Sequence, residues 1–468
     1  MTIMALAPLA AVAGGALIVL LLEAFIKRPD DEIPATAAVL SLFAAGFLIV
    51  RSWGLELGYF GGRLSLDPLA LLLMAVVVLV AAFVILMSLK YAPNREIDLG
   101  QLCGLLLLAV AGLMIMVSST DWLVVFLGLE VLSVASYALT GLRRNSRESS
   151  EAAAKYFLMG SFAGAFFVFG LALVFGTTGR MDFPGTLSGG PTAMAGLGLI
   201  TAALFFKIAI VPFHMWAPDV YEGAPTPVTA FLTIAPKAAG LAVLLRALAP
   251  VMGRGAAGAA FLAAVSVAAV LTMFVANLSA LRQKSVKRLL AYSAIAHSGY
   301  LLVAVVAGDG PSLVFYLIVY MFMNAGAFGV LAALSGAGVD RTSLEDLSGL
   351  GRRHPWLAAS LAVFLLSLAG IPPTAGFLGK FYIFSGAVRE GHILLAVAAV
   401  LASLISVAYY LKVIVVMYMH DPETELRPER ENPALYLVVF LCLFGVVELG
   451  IWPGNLLVLI RQALTGIF

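Results

Sequence analysis

Apolar segments of about twenty residues recur along the whole chain, and they constrain its fold more than any other feature. A helix needs about 20 apolar residues to cross the roughly 30 Å of hydrocarbon in a bilayer. Several connections between the segments are too short to hold a soluble domain. Fourteen segments can be placed, near residues 4–26, 34–53, 67–89, 101–118, 121–141, 153–176, 192–216, 226–249, 257–278, 289–308, 313–336, 356–388, 392–419 and 434–460. The sequence therefore predicts an all-α polytopic membrane protein with about 14 transmembrane helices.

Composition supports this assignment and excludes several function classes. The 468 residues are 62% hydrophobic and 12% charged, whereas apolar residues make up about half of an ordinary soluble domain. The two cysteines, Cys103 and Cys442, lie in apolar runs with no CxxC motif, so we expect neither a metal site nor a disulfide framework. A net charge of +2 gives no reason to expect a nucleic-acid partner. The lipid bilayer is the predicted environment.

The distribution of basic residues predicts the orientation. No Lys or Arg precedes the first apolar segment, whereas Lys27 and Arg28 follow it; a cleavable signal has its positive charge first, so we expect a retained first helix. With the N-terminus outside, seven of the 28 basic residues fall on the outside. Seventeen fall in inside loops: Lys27, Arg28, Lys90, Arg95, Arg143, Arg144, Arg147, Lys155, Arg282, Lys284, Lys287, Arg288, Arg341, Arg352, Arg353, Arg427 and Arg430. The positive-inside rule then places both termini on the outer side of the membrane.

Four lysines fall inside the predicted spans rather than in loops: Lys207, Lys237, Lys380 and Lys412. A charge at the centre of a bilayer costs about 2.5 to 3.5 kcal/mol on insertion scales, so it is retained where it faces protein or water. Lys412 is one or two turns from the inner end of its span and can extend its side chain to the interface. The other three are expected to lie in the protein interior.

Glu130 and His297 are predicted at similar depths to the lysines. At about 1.5 Å per helical residue, Glu130 lies about 14 Å into its span, Lys207 about 20 Å and Lys237 about 17 Å. Ionisable residues inside membranes mark proton paths in pumps and transporters, so we interpret the set as a proton relay. A buried structural ion pair between Glu130 and Lys207, and a packing role for His297, remain open. A metal-cation path lacks the clustered carboxylates that it needs.

Prolines predict interruptions in two of the spans. Pro212 lacks an amide hydrogen and frees a carbonyl near Ile208 in the seventh span, and Pro372 and Pro373 do the same in the twelfth span, shortly before Lys380. Unwound backbone is tolerated at membrane depth only where it is buried or lines a hydrated cavity. Interrupted helices in two halves of a chain are typical of transporters built from inverted repeats. We expect two inverted-repeat five-helix bundles, interrupted at spans 7 and 12.

This pattern predicts one membrane domain over residues 1–468, with internal divisions. Residues 1–100 form three N-terminal helices, 101–420 form the core, with repeats at about 101–250 and 257–420, and 421–468 form a loop and the last helix. Other polar residues near the span ends fit local roles. Asp67 before Pro68 is expected to cap a helix, and capping or hydrogen bonding is expected of His214, Asp219 and Glu222.

Six stretches of the chain resemble the antiporter-like membrane subunits of respiratory complex I. Together they cover about residues 100 to 390, and they are highly specific in combination. They read FLGLEVLSVASYALTGL, EAAAKYFLMGS, FFKIAIVPFHMWAPDVYEGAPTPVTAF, KRLLAYSAIAHSGYLL, EDLSGLGRR and AGIPPTAGFLGKFYIF. Within this family the chain is most similar to the N-type subunits. Its twelfth span carries Lys380 where M-type subunits have glutamate, and the sequence ends without the lateral helix of L-type subunits.

The resemblance implies a role for each candidate residue. Glu130 and Lys207 are the expected ion pair of spans five and seven, Lys237 the central relay lysine, His297 a relay or hydration residue and Lys380 the lysine at the outward proton exit. The resemblance also implies that NADH, FMN, iron–sulfur clusters and quinone bind to partner subunits and none of them to this chain. A subunit of an Mrp-type sodium/proton antiporter or of a membrane-bound hydrogenase is the alternative, since these proteins share the motifs. A spacer subunit that no longer pumps is a third reading, which the intact lysines disfavour.

Overall fold

Helices account for nearly all of the regular structure. The computed structural model of the protein describes residues 2–25, 32–55, 57–184, 190–248, 255–336, 340–422 and 432–464. Lys27 and Arg28, like Arg254, Arg427 and Arg430, lie outside the described residues. The helices within the described residues are α1 (Thr2–Phe25), α2 (Ile33–Arg51), α3 (Pro68–Tyr91), α4 (Leu99–Ser118), α5 (Trp122–Thr140), α6 (Arg147–Thr178), α7 (Gly190–Lys207), α8 (Ala217–Gly223), α9 (Thr226–Leu248), α10 (Gly255–Ala280), α11 (Val286–Val306), α12 (Gly310–Leu334), α13 (Leu350–Arg353), α14 (Pro355–Ala369), α15 (Ala375–Arg389), α16 (Ile393–Met419), α17 (Pro433–Ile451) and α18 (Gly454–Leu464).

The predicted spans correspond to these helices. In the described part of the chain, thirteen helices are long and apolar enough to cross a membrane. The twelfth predicted span is the pair α14 and α15, which are shorter. The expected cap at the start of α3 is also present, because Asp67 Oδ1 accepts the amide of Ala70 at 2.8 Å and Pro68 is the first helical residue. The prediction of a multi-pass helical protein is confirmed.

Both predicted interruptions are present. Helix α7 ends at Lys207 and α8 begins at Ala217, so residues 208–216 form an irregular segment around Pro212. Helix α14 ends at Ala369 and α15 begins at Ala375, on either side of Pro372 and Pro373. Proline cannot donate the backbone hydrogen bond that would continue each helix.

Two local features differ from the prediction. The last span was expected to run to residue 460, but α17 ends at Ile451 and α18 begins at Gly454. Pro453 explains this break, because it has no amide hydrogen to donate to the end of α17. A two-stranded hairpin, β1 (Leu57–Tyr59) and β2 (Leu64–Leu66), precedes α3 and was not predicted.

The most deeply buried helices are α9, α11 and α12. Nearly every side chain that they carry is buried. Helices α2, α6 and α16, in contrast, expose large apolar side chains such as Phe43, Phe162 and Leu404. Exposed apolar side chains on membrane helices are suited to contact with lipid. Lys237 of α9 and His297 of α11 therefore lie at the centre of the bundle.

Candidate functional site

Lys207 is the last residue of α7, and its ammonium group lies among neutral partners. The side chain is only 2% exposed. Its Nζ donates to Ser133 Oγ of α5 at 3.0 Å and to Tyr156 OH of α6 at 3.2 Å. The ring centres of Tyr137 and Tyr156 are 5.8 and 5.2 Å from Nζ, within the range of cation–π attraction. Hydroxyl groups and aromatic rings thus replace water around this charge.

The direct ion pair expected between Glu130 and Lys207 is not formed. Both residues belong to the described chain, and Lys207 donates to Ser133, which lies three residues after Glu130 on α5. The carboxylate faces α6, where a Cβ added to Gly164 would lie 3.1 Å from Glu130 Oε1. Of these two groups on α5, the Ser133 hydroxyl and not the Glu130 carboxylate is within hydrogen-bonding distance of the ammonium. The part of Glu130 in proton transfer remains a prediction.

Neighbouring helices satisfy the backbone of the break after α7. Pro212 has no amide hydrogen to offer the Ile208 carbonyl, and Ser298 Oγ of α11 donates to this oxygen at 2.7 Å. The amide of Val211 donates to Thr272 Oγ1 of α10 at 3.0 Å. The freed carbonyl expected near Ile208 is therefore present and paired. Buried polar side chains make the irregular backbone tolerable inside the bundle.

Lys237 lies in the middle of α9 and is 1% exposed. Its Nζ donates to the backbone carbonyl of Ala294 on α11. No ion pair involving Lys237 is found among the described residues. The preceding Pro236 cannot donate to the carbonyl of Leu232, and Tyr221 OH of α8 donates to that oxygen at 3.3 Å. A proline again frees a carbonyl close to a buried lysine.

His297 lies among buried tyrosines, one of which also lies close to Lys237. Its Nδ1 lies 2.6 Å from Tyr316 OH, and its Nε2 lies 3.4 Å from Tyr410 OH. The ring of Tyr320 is 5.2 Å from the His297 ring and 5.3 Å from Lys237 Nζ. A neutral imidazole has one donor and one acceptor nitrogen, so hydroxyl partners on both sides suit either tautomer.

Lys380 binds the end of the interrupted helix before it. Its Nζ donates to the carbonyls of Leu368 and Ala369 at 2.8 and 3.1 Å, and to Ser403 Oγ of α16 at 2.9 Å. The two carbonyls end α14 and have no partner within that helix. They also lie at the negative end of the helix dipole. The interruption at Pro372 and Pro373 thus supplies the acceptors that hold this cation.

A groove lies beside Lys380, between α15 and α16. Its volume is about 850 Å³, and its lining is mostly apolar. Lys380 and Ser403 contribute polar groups to it, and Arg389 lines it as well. Arg389 also pairs with Asp309 at 3.3 Å. Lys380 is 4% exposed and contributes to the wall of this groove.

Sequence reasoning missed one buried lysine. Lys287 was assigned to an inside loop, but it lies in the first turn of α11 and is 1% exposed. Its Nζ donates to the carbonyl of Ala224, which separates α8 from α9, at 2.6 Å. The loop assignment failed because a lysine in the first turn of a helix can point back into the bundle.

Asp340 joins three segments near Lys287, and it too was not singled out. It accepts hydrogen bonds from Tyr91 OH at 2.9 Å, Arg95 Nε at 3.1 Å and Arg143 at 2.9 Å. Burial opposes ionisation of the carboxyl, but Lys287, Arg95 and Arg143 hold its pKa below its ordinary value. The group is therefore an ionised structural anchor at neutral pH.

Asp219 and Glu222 of α8 also form ion pairs. Asp219 lies 2.8 Å from Lys155 and 2.9 Å from Arg288, and Arg288 lies 2.6 Å from Glu222. Partial burial of Asp219 raises the pKa, but Lys155 and Arg288 lower it more, so the pKa is below its ordinary value. The hydrogen-bonding role expected of these two acids is confirmed, and it fastens the short helix α8 to α6 and α11.

Buried tyrosines fill the space between the ionisable residues. Sequence reasoning passed over them, although most of them sit on long apolar helices, where a buried hydroxyl needs a polar partner. They are Tyr156, Tyr221, Tyr300, Tyr316, Tyr320, Tyr409 and Tyr410. The site thus contains buried lysines and a histidine with buried tyrosine hydroxyl groups around them, and such hydroxyl groups can both accept and donate protons.

Comparison with known proteins assigns the chain to a family. The family model described as NADH:quinone oxidoreductase/Mrp antiporter, TM matches residues 119–406, which include every candidate site residue. The chain belongs to this family. A family member from Trichlorobacter lovleyi, NADH-quinone oxidoreductase subunit N, is 40% identical over 455 residues, which cover 95% of this chain and 93% of that protein.

Solved structures agree with the family assignment. A chain of respiratory complex I from Thermus thermophilus, solved with bound aureothin, is 35% identical and has a TM-score of 0.83, covering 96% of this chain and 98% of that chain. An Mrp complex from Dietzia sp. DQ12-45-1b contains a chain with a TM-score of 0.85 at 21% identity, covering 100% and 98%. The second match shows a shared fold only. The polytopic helical fold predicted from the sequence is confirmed.

Proposed function

We propose that this chain is a proton-translocating membrane subunit of an NADH:quinone oxidoreductase, respiratory complex I. It couples quinone reduction elsewhere in the complex to proton transfer across the membrane. One observation carries the proposal: Lys207, Lys237 and Lys380 are all buried, and each is held by neutral hydrogen-bond acceptors. The identity of 40% to an NADH-quinone oxidoreductase subunit N over nearly the whole chain supports it.

Neutral partners suit a lysine that must gain and lose a proton. Removing one charge from a buried ion pair leaves the other charge uncompensated, which costs about 3 to 5 kcal/mol. A lysine that binds only hydroxyl and carbonyl oxygens leaves no carboxylate behind when its proton departs. In this proposal Glu130 influences Lys207 through space, His297 links Lys237 to the tyrosines, and Lys380 serves as the outward exit beside the groove.

The complex supplies what the chain itself does not hold. NADH, FMN, iron–sulfur clusters and quinone bind to partner subunits in this proposal, and the other membrane subunits of complex I are its partners. The chain is a multi-pass protein of the bacterial inner membrane with both termini on the outer side. Redox energy reaches it from those partners as a displacement of charge.

A subunit of an Mrp-type antiporter, or of a membrane-bound hydrogenase, is the second candidate function. The family description covers Mrp antiporters, and the Dietzia Mrp chain has the same fold. The Dietzia chain is 21% identical to this chain, well below the 40% identity of the Trichlorobacter lovleyi NADH-quinone oxidoreductase subunit N. The two candidates differ in whether the chain co-purifies with NADH-oxidising subunits.

Lys237→Met in the assembled complex tests the proposal. We expect the complex to assemble, and proton pumping and quinone reductase activity to fall together, because methionine cannot carry a proton. Lys412→Met is the matched control, since Lys412 is exposed on α16; its pumping is expected to match the parent. Parental pumping by Lys237→Met, or purification of the chain without NADH dehydrogenase activity, overturns the proposal.

A further inference from the structure

Asn277 of α10 occupies a junction between His297 and Lys380, and its side chain is fully buried. Its Nδ2 donates to Tyr300 OH and to the carbonyl of Ala402, each at 3.0 Å. Its Oδ1 accepts from Tyr409 OH at 2.9 Å. Both hydrogens and the oxygen of this carboxamide therefore have partners.

The partners fix which way the carboxamide points. The Ala402 carbonyl can only accept, so the atom that faces it must be the NH₂ group. Swapping the nitrogen and oxygen would place two acceptors against each other. Tyr409 must then donate to Asn277, and Tyr300 must accept from it. One amide thus fixes Tyr409 as a hydrogen-bond donor and Tyr300 as an acceptor.

Hydroxyl groups continue the row on each side of Asn277. Towards the centre, the rings of Tyr409 and Tyr410 have centres 4.4 Å apart, and Tyr410 OH is 3.4 Å from His297 Nε2. Towards the exit, the Tyr300 ring centre is 5.0 Å from Lys380 Nζ, which donates to Ser403 Oγ at 2.9 Å. Asn277 is the single member of this row that is not a hydroxyl group, an imidazole or an ammonium.

A carboxamide can hold this row together, but it cannot relay a proton. A hydroxyl group accepts a proton on one lone pair and releases another, whereas the donors and the acceptor of an amide are different atoms. We propose that Asn277 is a positioning residue that interrupts side-chain proton transfer between His297 and Lys380. A proton crosses this point only when water or a rearranged side chain bridges the amide. A pump needs such a point, because a permanently continuous path would let the proton gradient leak back.

This inference rests on the proposed function, and Asn277→Asp tests it. Aspartate has nearly the same shape but carries a group that can bind and release a proton. We expect Asn277→Asp complexes to translocate fewer protons per NADH oxidised and to show a faster passive proton leak in reconstituted vesicles. Asn277→Ser introduces a hydroxyl group, which can also relay a proton, so it is expected to lower the number of protons translocated per NADH oxidised as well. Asn277→Leu cannot relay protons, and we expect it to show no added leak, whatever its stability.

A second buried asparagine provides the control. Asn432 is 1% exposed, caps α17 through the amide of Leu435 and donates to the carbonyls of Leu86 and Met87, which are not part of the row. Asn432→Asp should leave the ratio of protons to NADH at the parental value. A parental ratio in both Asn277→Asp and Asn277→Ser, or an equal leak in Asn277→Leu, would overturn the inference. If Lys237→Met pumps normally, the proposed function itself has failed, so the two failures are distinguishable.

Discussion

The buried lysines have a common local chemistry. Lys207 binds two hydroxyl groups, Lys237 a backbone carbonyl, and Lys380 two carbonyls and a hydroxyl group. Every acceptor is neutral. The side chains can therefore change their protonation state without leaving a bound carboxylate unpaired, and this distinguishes them from the ion pairs of α8.

Replacement of Lys207 by alanine should lower proton pumping and the coupled quinone reductase activity. The variant removes the titratable group from the row but leaves Ser133 and Tyr156 able to hydrogen bond to water. Proton uptake by inverted membrane vesicles and NADH oxidation are the measurements, with Lys412→Ala as the control. If Lys207→Ala vesicles build the parental gradient at the parental rate, Lys207 is not part of the relay.

At Lys380, glutamate and methionine should behave differently. Glutamate can still bind and release a proton beside the groove, so Lys380→Glu is expected to retain a measurable part of pumping. Methionine has a similar length but no titratable group, so Lys380→Met should lose most of it. Assembly of the complex, checked by native gel, is expected in both. Equal pumping by the methionine variant and the parent would remove Lys380 from the proton path.

The sequence predicted the positions of the buried charges better than their contacts. Charge in an apolar run was enough to find Lys207, Lys237, His297 and Lys380. The pairing of Glu130 with Lys207 was wrong as a direct contact, because the Lys207 ammonium donates to Ser133 and the Glu130 carboxylate faces α6. Lys287 was missed because its position near a helix end gave no signal of burial.

At the scale of the helix, prolines cause the interruptions, and side chains of neighbouring helices stabilise them. The break after α7 depends on Ser298 and Thr272, which come from α11 and α10. Neither residue could be assigned to the break from the sequence, since they are distant along the chain. The interruptions were predictable from Pro212, Pro372 and Pro373, whereas the groups that stabilise them were not.

Ser298→Ala should destabilise the break after α7. It leaves the buried Ile208 carbonyl without its donor, and an unsatisfied buried polar group costs about 1 to 3 kcal/mol. Thermal unfolding of the purified complex measures the effect. Ser266→Ala is the matched control, because Ser266 donates to the Leu262 carbonyl within its own helix at 2.8 Å. Equal unfolding temperatures for the two variants would argue against the role of Ser298.

Hydropathy alone did not predict two short features, the hairpin of β1 and β2 and the end of α17. The hairpin of β1 and β2 turns through Gly61 and Gly62, with φ values of 70° and 87°. Such angles favour glycine, and adjacent glycines between alternating residues were a usable signal. Pro453 likewise marked the end of α17. Both signals were overlooked because the segments were placed by apolar length alone.

At the scale of the whole molecule, the charges at the loop ends predict the orientation. Asp340, Arg95 and Arg143 gather at one end of the bundle, and Lys155, Asp219 and Arg288 form a second cluster. The sequence assigns these loops to the inner side. The span count and the helical fold could be predicted from the sequence. The contacts between loops that are distant along the chain could not.

A pair of reporter fusions tests the orientation. A reporter fused after Phe468 is expected to be active on the outer side, and one inserted between Arg144 and Glu148 is expected to be active in the cytoplasm, because basic loops stay inside. Alkaline phosphatase and a fluorescent protein, respectively, provide the measurements. Activity in the reverse pattern would contradict either the span count or the charge rule.

Lys380 is hydrogen-bonded to the end of α14, so its protonation state is linked to how that helix end is held. A charged lysine has three N–H groups, one for each of its three oxygen partners, whereas a neutral lysine has two. When the proton leaves, either Ser403 turns to donate to the amine nitrogen or one carbonyl at the end of α14 loses its donor. Coupling of this kind is reciprocal. A displacement of the helix end by other parts of the bundle therefore changes the proton affinity of Lys380. The interrupted helix can thus transmit a structural change to this lysine.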